Sequence, residues 1–332
     1  MAAELHGVDH SIQFVALPSP SLERQSGHSV YSNDVPEPGS REMIRIRELA
    51  GMDLEAVLFG GQTFRWERVE VGWTAGWIGD RPVRVRVTQE GLEVGPRTAQ
   101  DDGLEPAARR YFDADRDYAG IRERLLRDDR LRVAAAGLDG LRILRQPPFE
   151  TVISFIVSAN NNIPRITKCL SSLCRLGGNP VSIDGEIEWS FPGPESLAGL
   201  DAATLRAEAN LGYRDRYVAE TSALVASRAA PLDDWDAERT PALLANLRSL
   251  PGVGPKVAEC IALFAYGRFD VFPVDTWIRQ VYSQTYPSRG PVATNRQIRE
   301  RARRRFGSGA GLAQQYLFEF VRRRGRAAVN QT

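Results

Sequence analysis

The chain has 332 residues, of which 42% are hydrophobic and 26% charged, and its formal net charge is +1. That length suits roughly two domains, the composition excludes a chain disordered throughout, and no stretch approaches the ~18 uninterrupted apolar residues of a membrane helix. Three cysteines form no paired framework, which points to a reducing, intracellular setting rather than a disulfide scaffold.

Residues 1–40, with Pro18, Pro20, Pro36 and Pro38 and no clear period, read as a flexible extension. All three histidines (His6, His10 and His28) fall in it, so a His-based triad or His-ligated metal is not expected. Cys169, Cys174 and Cys260 cannot supply the four thiolates of an iron–sulfur cluster or an all-cysteine zinc site. No metal and no cofactor is expected.

Residues 41–145 are expected to hold an antiparallel sheet plus helices. Phe64 and Trp66 alternate with Arg65 and Glu67, and Val83, Val85 and Val87 alternate with Arg84 and Arg86, the period of half-buried strands. Turns are predicted at Gly72 and at Gly79-Asp80. From about Glu105 the period becomes helical. Ile163, Ile166, Leu170 and Leu173 line one helix face, and Val257, Cys260, Ile261 and Phe264 line another. Thr240-Pro241 suits an N-cap and first helical position, and Gly267 suits a helix end. The fold class is therefore α+β, a small antiparallel-sheet domain followed by a mostly helical one over residues 146–326, with a tail at 327–332.

Charge is unevenly spread. Residues 275–332 carry twelve arginines against three acids, a local +9 that leaves −8 on the rest. Clusters at Arg296, Arg299, Arg301, Arg303, Arg304, Arg305 and at Arg322, Arg323, Arg324, Arg326 suit either a solvated face or a phosphate-binding surface. Lysine occurs only at Lys168 and Lys256, so amine chemistry must use one of these or the chain's amino terminus.

The stretch Leu250-Pro251-Gly252-Val253-Gly254-Pro255-Lys256 lies between two helical patterns. Its glycines allow a tight hairpin, and the helix starting at Pro255 turns unpaired N–H groups outward, a concavity suited to phosphate; an ordinary helix–turn–helix connection satisfies the same pattern. Lys256 stands in the first turn of that helix. Nineteen residues later, Phe272-Pro273-Val274-Asp275 can return a carboxylate toward it. Asp275 before Thr276-Trp277-Ile278 is also a good N-cap.

With further motifs at Gly60-Gly61-Gln62-Thr63-Phe64-Arg65-Trp66, Ser158 to Thr167, Leu211 to Val218 and Gly311 to Phe318, the chain resembles the helix-hairpin-helix, Gly/Pro-rich-loop and aspartate superfamily of DNA glycosylases, and within it 8-oxoguanine DNA glycosylase/AP lyase. The resemblance runs from about Gly60 to Arg324. It implies a base-excision repair enzyme that flips 8-oxoguanine out of duplex DNA, cleaves its N-glycosidic bond through a Lys256 imine and nicks the strand by β-elimination, assisted by Asp275. It further implies that the Gly61 carbonyl, Cys260, Gln314 and Phe318 bind the lesion base. Asn160, Arg165 and Arg214 would read the orphaned cytosine with Tyr213 as wedge, and Gly252 and Gly254 would contact phosphate. Taken without the family, Phe318 and Cys260 read as core residues, and Asn160 to Asn162 as a polar turn. Trp277 departs from the pattern, since animal members commonly carry histidine there. The implied partner is double-stranded DNA with 8-oxoguanine opposite cytosine, bound by a monomer with no membrane contact. The workplace would be the cytoplasm or nucleoid of a prokaryote or the nucleus of a eukaryote. Two alternatives stay open, a helix-hairpin-helix glycosylase for another damaged base and a non-catalytic DNA-binding module.

Overall fold

The structure, a computed structural model, describes residues 43–99, 103–287, 291 and 293–329, with side chains through 324. The expected extension at 1–40 lies outside the described residues. Five antiparallel strands, β1 (Ile44–Ile46), β2 (Trp66–Glu70), β3 (Trp73–Ile78), β4 (Arg81–Thr88) and β5 (Gly91–Pro96), form one sheet in the order β1-β5-β4-β3-β2. Gly72 (φ +80°) and Gly79 (φ +64°) take the left-handed backbone that these tight turns require. Val83 and Val85 on β4, and Leu92 and Val94 on β5, are fully buried. Strand β1, only three residues long, shows no period in the sequence and exists through its pairing with β5 (Ile44 opposite Val94).

Two expectations in this region change. Phe64 and Arg65 precede β2 rather than belonging to it. Arg65 is not a solvated partner of the alternation: its buried guanidinium donates to Glu150 at 3.4 Å and to the Trp189 carbonyl at 3.0 Å, and lies over the rings of Trp77 and Phe191. Burial raises the Glu150 carboxyl above its ordinary value, opposed by Arg65. This pair ties the sheet region to the helical region, a long-range partnership invisible to local period.

The helices are α1 (Leu54–Leu58), α2 (Leu104–Tyr111), α3 (Tyr118–Leu125), α4 (Asp129–Ala134), α5 (Pro148–Ser158), α6 (Ile163–Gly177), α7 (Pro194–Ala198), α8 (Ala202–Glu208), α9 (Asp215–Ala226), α10 (Thr240–Arg248), α11 (Pro255–Phe264), α12 (Thr276–Thr285), α13 (Asn295–Phe306) and α14 (Ala310–Val329). A second, two-stranded sheet, β6 (Pro180–Ile183) with β7 (Glu186–Trp189), was not anticipated. Helix α5 is buried from Glu150 to Val157 and packs against α6, α9 and α11. Phe155 on α5 stacks on Phe264 of α11 (5.3 Å) and meets Phe64 edge-on (6.0 Å). One hydrophobic cluster therefore runs from Ile46 in the sheet to Leu317 in the last helix. Sheet and helices share a core, so the hairpin is held on a rigid base.

Helix ends follow the sequence with one shift. Gly267 (φ +63°) turns the chain just past α11, its N–H donating to the Leu263 carbonyl and that of Arg268 to the Ala262 carbonyl. Thr240, expected as the N-cap of α10, is instead its first residue and donates its hydroxyl to Asp270 at 2.9 Å. The backbone of α14 continues to Val329, past the expected start of the tail at 327.

Candidate DNA-repair site

Helices α10 and α11 form the helix–hairpin–helix, joined through Leu250 to Gly254. Gly252 has φ +78°, and a Cβ there would lie 2.8 Å from the Tyr217 ring, so backbone conformation and close packing both require glycine. The Thr221 hydroxyl of α9 donates to the Pro251 carbonyl at 3.2 Å and anchors the loop. Gly254 is the N-cap of α11 with extended backbone and no side-chain cap, and a Cβ there would meet nothing within 4 Å. Nothing among the described residues requires its missing side chain. Gly252→Ala is expected to cost about 1–3 kcal/mol in denaturant unfolding through strain. Gly254→Ala, unstrained but at an N-cap where glycine is preferred to alanine, is expected to cost no more than about 1 kcal/mol of stability yet weaken DNA binding; equal DNA affinity would remove close approach as the reason for this glycine.

Lys256, half-buried in the first turn of α11, places its Nζ 5.4 Å from the centre of the Phe155 ring. One turn on, Cys260 shares its face. Burial pushes the Cys260 thiol up to about 11, Lys256 opposing and Asp275 adding to the rise. Asp275, half-buried, caps α12 by accepting from the Ile278 N–H at 2.7 Å, which fixes the carboxylate.

Glu259, beside Cys260, is buried against α13, where the Arg299 Nε donates to it at 2.6 Å. Burial pushes its carboxyl up from 4.5 to about 7 despite Arg299 and Arg303. A raised folded value means that the stability from this group is present below about 4.5 and is lost as pH rises through about 7. Wild type is therefore expected to lose stability relative to Glu259→Gln across that window in a pH series of urea unfolding; a pH-independent difference contradicts this.

A second group gathers at Gly61. This residue (φ +83°) follows α1, and a Cβ on it would lie 3.5 Å from Ile163 Cδ1 and 4.0 Å from Phe318 Cε1. The next side chain holds the loop rigid: Gln62 donates to the Arg142 carbonyl (2.8 Å) and accepts from the Leu144 N–H (3.0 Å). Gln314 lies one turn before Phe318 on the same face of α14, its amide oriented by Gln315 at 2.7 Å. Phe318 is partly buried and Gln314 is 4% exposed.

The third group flanks the hairpin. Asn160 is exposed in left-handed backbone (φ +50°), its amide 3.4 Å from the Tyr213 hydroxyl, and Asn162 caps α6 by accepting from the Arg165 N–H at 3.0 Å. Tyr213 is 50% exposed and meets Tyr217 edge-on, and Tyr217 in turn packs on Gly252. The surface is therefore continuous from the asparagine turn to the hairpin. Trp277 (50%) and Ile163 (36%) are large exposed apolar side chains at the N-termini of α12 and α6. Arg165 is exposed. Arg214 is placed differently from an edge-reading residue: it is 4% exposed and donates to the carbonyls of Ala159, Asn160 and Leu211. In this conformation its guanidinium secures the asparagine turn and supports the Tyr213 ring from 4.5 Å.

Phe155, Ile163 and Tyr217 had not been singled out as site residues. Tyr217 stands four residues after Tyr213 within the Leu211 to Val218 motif, a helical spacing that pairs them; Phe155 and Ile163 sit in apolar patterns that mark only core.

Residues 153–307 match the HhH-GPD superfamily of base excision DNA repair proteins, which sets the class. Residues 44–152 match the N-terminal domain of 8-oxoguanine DNA glycosylase. A probable N-glycosylase/DNA lyase of Methanothermobacter thermautotrophicus is 34% identical over 300 residues, covering 82% of this chain and 94% of that one. The N-glycosylase/DNA lyase of Saccharomyces cerevisiae is 32% identical over 256 residues, 70% of this chain and 68% of that one. The Clostridium acetobutylicum 8-oxoguanine glycosylase/lyase, solved in complex with double-stranded DNA containing cytosine opposite 8-oxoguanine, superposes with a TM-score of 0.78 at 33% identity, covering 82% of this chain and 93% of that one. The chain belongs to the 8-oxoguanine DNA glycosylase family.

Proposed function

We propose that this protein excises 8-oxoguanine from duplex DNA and then nicks the strand, with Lys256 as nucleophile. The observation that carries the reading is the placement of Lys256 in the first turn of the hairpin's second helix, half-buried with its Nζ 5.4 Å from the Phe155 ring centre, with the Asp275 carboxylate fixed as the cap of the following helix. The hairpin amides hold backbone phosphate, and the lesion nucleotide rotates out of the stack at a cost of a few kcal/mol. The Lys256 lone pair attacks the sugar C1′ as the bond to the base nitrogen breaks. The base leaves with that electron pair and takes up a proton. Ring opening and loss of the amine proton give an imine. This imine acidifies the C2′ hydrogens, and removal of one expels the 3′ phosphate with its C–O electrons. Asp275 stabilises the positive charge that develops on the sugar and accepts from the amine.

Discrimination rests on one hydrogen. The 8-oxo lesion carries N7–H where guanine has a lone pair, so the Gly61 carbonyl attracts one and repels the other. Phe318 and Cys260 cover the two faces of the base and Gln314 meets its Watson–Crick edge; burial keeps the Cys260 thiol neutral, which suits an apolar base face. Opposite, Asn160 and Arg165 read the orphaned cytosine while Tyr213 fills the vacated stack. Arg214 contributes by holding the turn that presents Asn160.

The test compares duplexes bearing 8-oxoguanine opposite cytosine, an alkylated purine or no lesion, with released base and strand breaks assayed separately. Release and nicking of the 8-oxoguanine duplex alone is the expected result. Preferred release of the alkylated purine, or binding without any release, overturns it.

A further inference from the structure

The C-terminal arginines do not form one basic face. Arg299 is paired with Glu259, Arg322 and Arg323 with Glu319, and Arg296 with Glu300. Arg301 and Arg304 have no hydrogen-bond or ion-pair partner among the described residues, and both are exposed. They face a cavity of about 450 Å³ whose walls also include Arg130, Arg305, Tyr282 and Tyr286. That volume falls in the range of small-ligand sites.

Part of the cavity wall is held in place by named partners. Asp128 caps α4, accepts from Arg305 at 2.6 Å and from the Tyr286 hydroxyl at 3.0 Å, and so fixes both. Arg130 donates to the Thr285 carbonyl at 2.9 Å. Arg305 lies over the Tyr286 ring at 4.6 Å, and Tyr286 and Tyr282 rest on Phe306 and Phe272. Four guanidiniums line the cavity, and among the described residues Arg305 alone of them is paired with a carboxylate, that of Asp128. Burial keeps the Tyr282 phenol protonated as a donor. Tyr282 stands seven residues beyond Asp275 along α12, roughly 10 Å by helical rise, and none of the cavity's lining residues belongs to the hairpin site.

We propose that this cavity is a second anion site that binds a phosphate-bearing ligand through Arg301 and Arg304. Guanidinium forks match phosphate oxygens in pairs, and the aromatic floor fixes where the forks stand. Two sources share this chemistry: a small free phosphate of pyrophosphate size, and backbone phosphates of DNA beyond the lesion.

The test uses the full chain and Arg301→Gln/Arg304→Gln, whose exposed positions leave folding stability within ~0.5 kcal/mol, checked by thermal melting. Pyrophosphate is titrated calorimetrically in constant chloride, and affinity for a duplex with 8-oxoguanine opposite cytosine is measured across salt concentrations. Loss of about tenfold or more in pyrophosphate affinity, with DNA affinity and excision unchanged, supports the site and names the free ligand as its source. A salt slope of DNA affinity reduced by about 1–2 in the double variant, with no pyrophosphate binding to wild type, supports the site and names the DNA backbone. A double variant that matches wild type in both measurements overturns the proposal.

Discussion

Replacing Lys256 by Gln is expected to abolish nicking and to slow release of 8-oxoguanine by on the order of 10⁴-fold or more, as loss of a nucleophile does elsewhere. Gln keeps most of the stem that lies against Phe155 and removes only the reactive amine. Folding stability should therefore change by less than ~1 kcal/mol. Single-turnover gels run with and without alkali separate the two steps: alkali cleaves every abasic product, whereas the untreated lane reports only enzymatic nicking. Retained base release with lost nicking would recast Lys256 as the lyase group alone and hand the first displacement to water.

Asp275→Asn tests the other half of the pair, because this residue has two roles that one substitution can separate. The carboxylate caps α12 through the Ile278 N–H, and asparagine caps a helix about as well as aspartate. Stability is expected to be kept, with DNA affinity near wild type and turnover reduced about 10²–10³-fold, the usual loss when a charge-stabilising group is removed. Asp275→Ala should lose turnover to the same degree and also about 1 kcal/mol of stability, since the cap goes too. Unchanged turnover in the asparagine variant would leave Asp275 only its structural task.

Much of this architecture was legible because its determinants are local. The start of α11 at Pro255, the turn at Gly267 just past it and the Asp275 cap all follow from residue type and position within a few residues. Turns at Gly72 and Gly79 likewise need a backbone that glycine supplies. The β6–β7 hairpin was missed although Asp184-Gly185, both at positive φ between two short strands, is a strong turn signal. Other features depend on partners far along the chain. Arg65 reads as a strand's polar face until Glu150 and Trp189 arrive to bury it. Arg214 reads as a base-contacting cation, and nothing local shows that the Ala159 and Asn160 carbonyls accept from it. The arginine-rich end reads as one charged surface, whereas Glu259, Glu319 and Asp128 divide it into locked pairs and an open remainder. In each case charge was visible in the sequence, but the partner that decides its use was not.

The central claim is that the Lys256 nitrogen forms a covalent bond to the deoxyribose during the reaction. Sodium borohydride added during turnover on a duplex with 8-oxoguanine opposite cytosine reduces the imine to a stable amine, and proteolysis with mass spectrometry locates the attachment. The account predicts a protein–DNA adduct on the peptide carrying Lys256, absent from the Gln variant. An adduct on Lys168 or on the chain's amino terminus, or excision with no adduct in wild type, would contradict it.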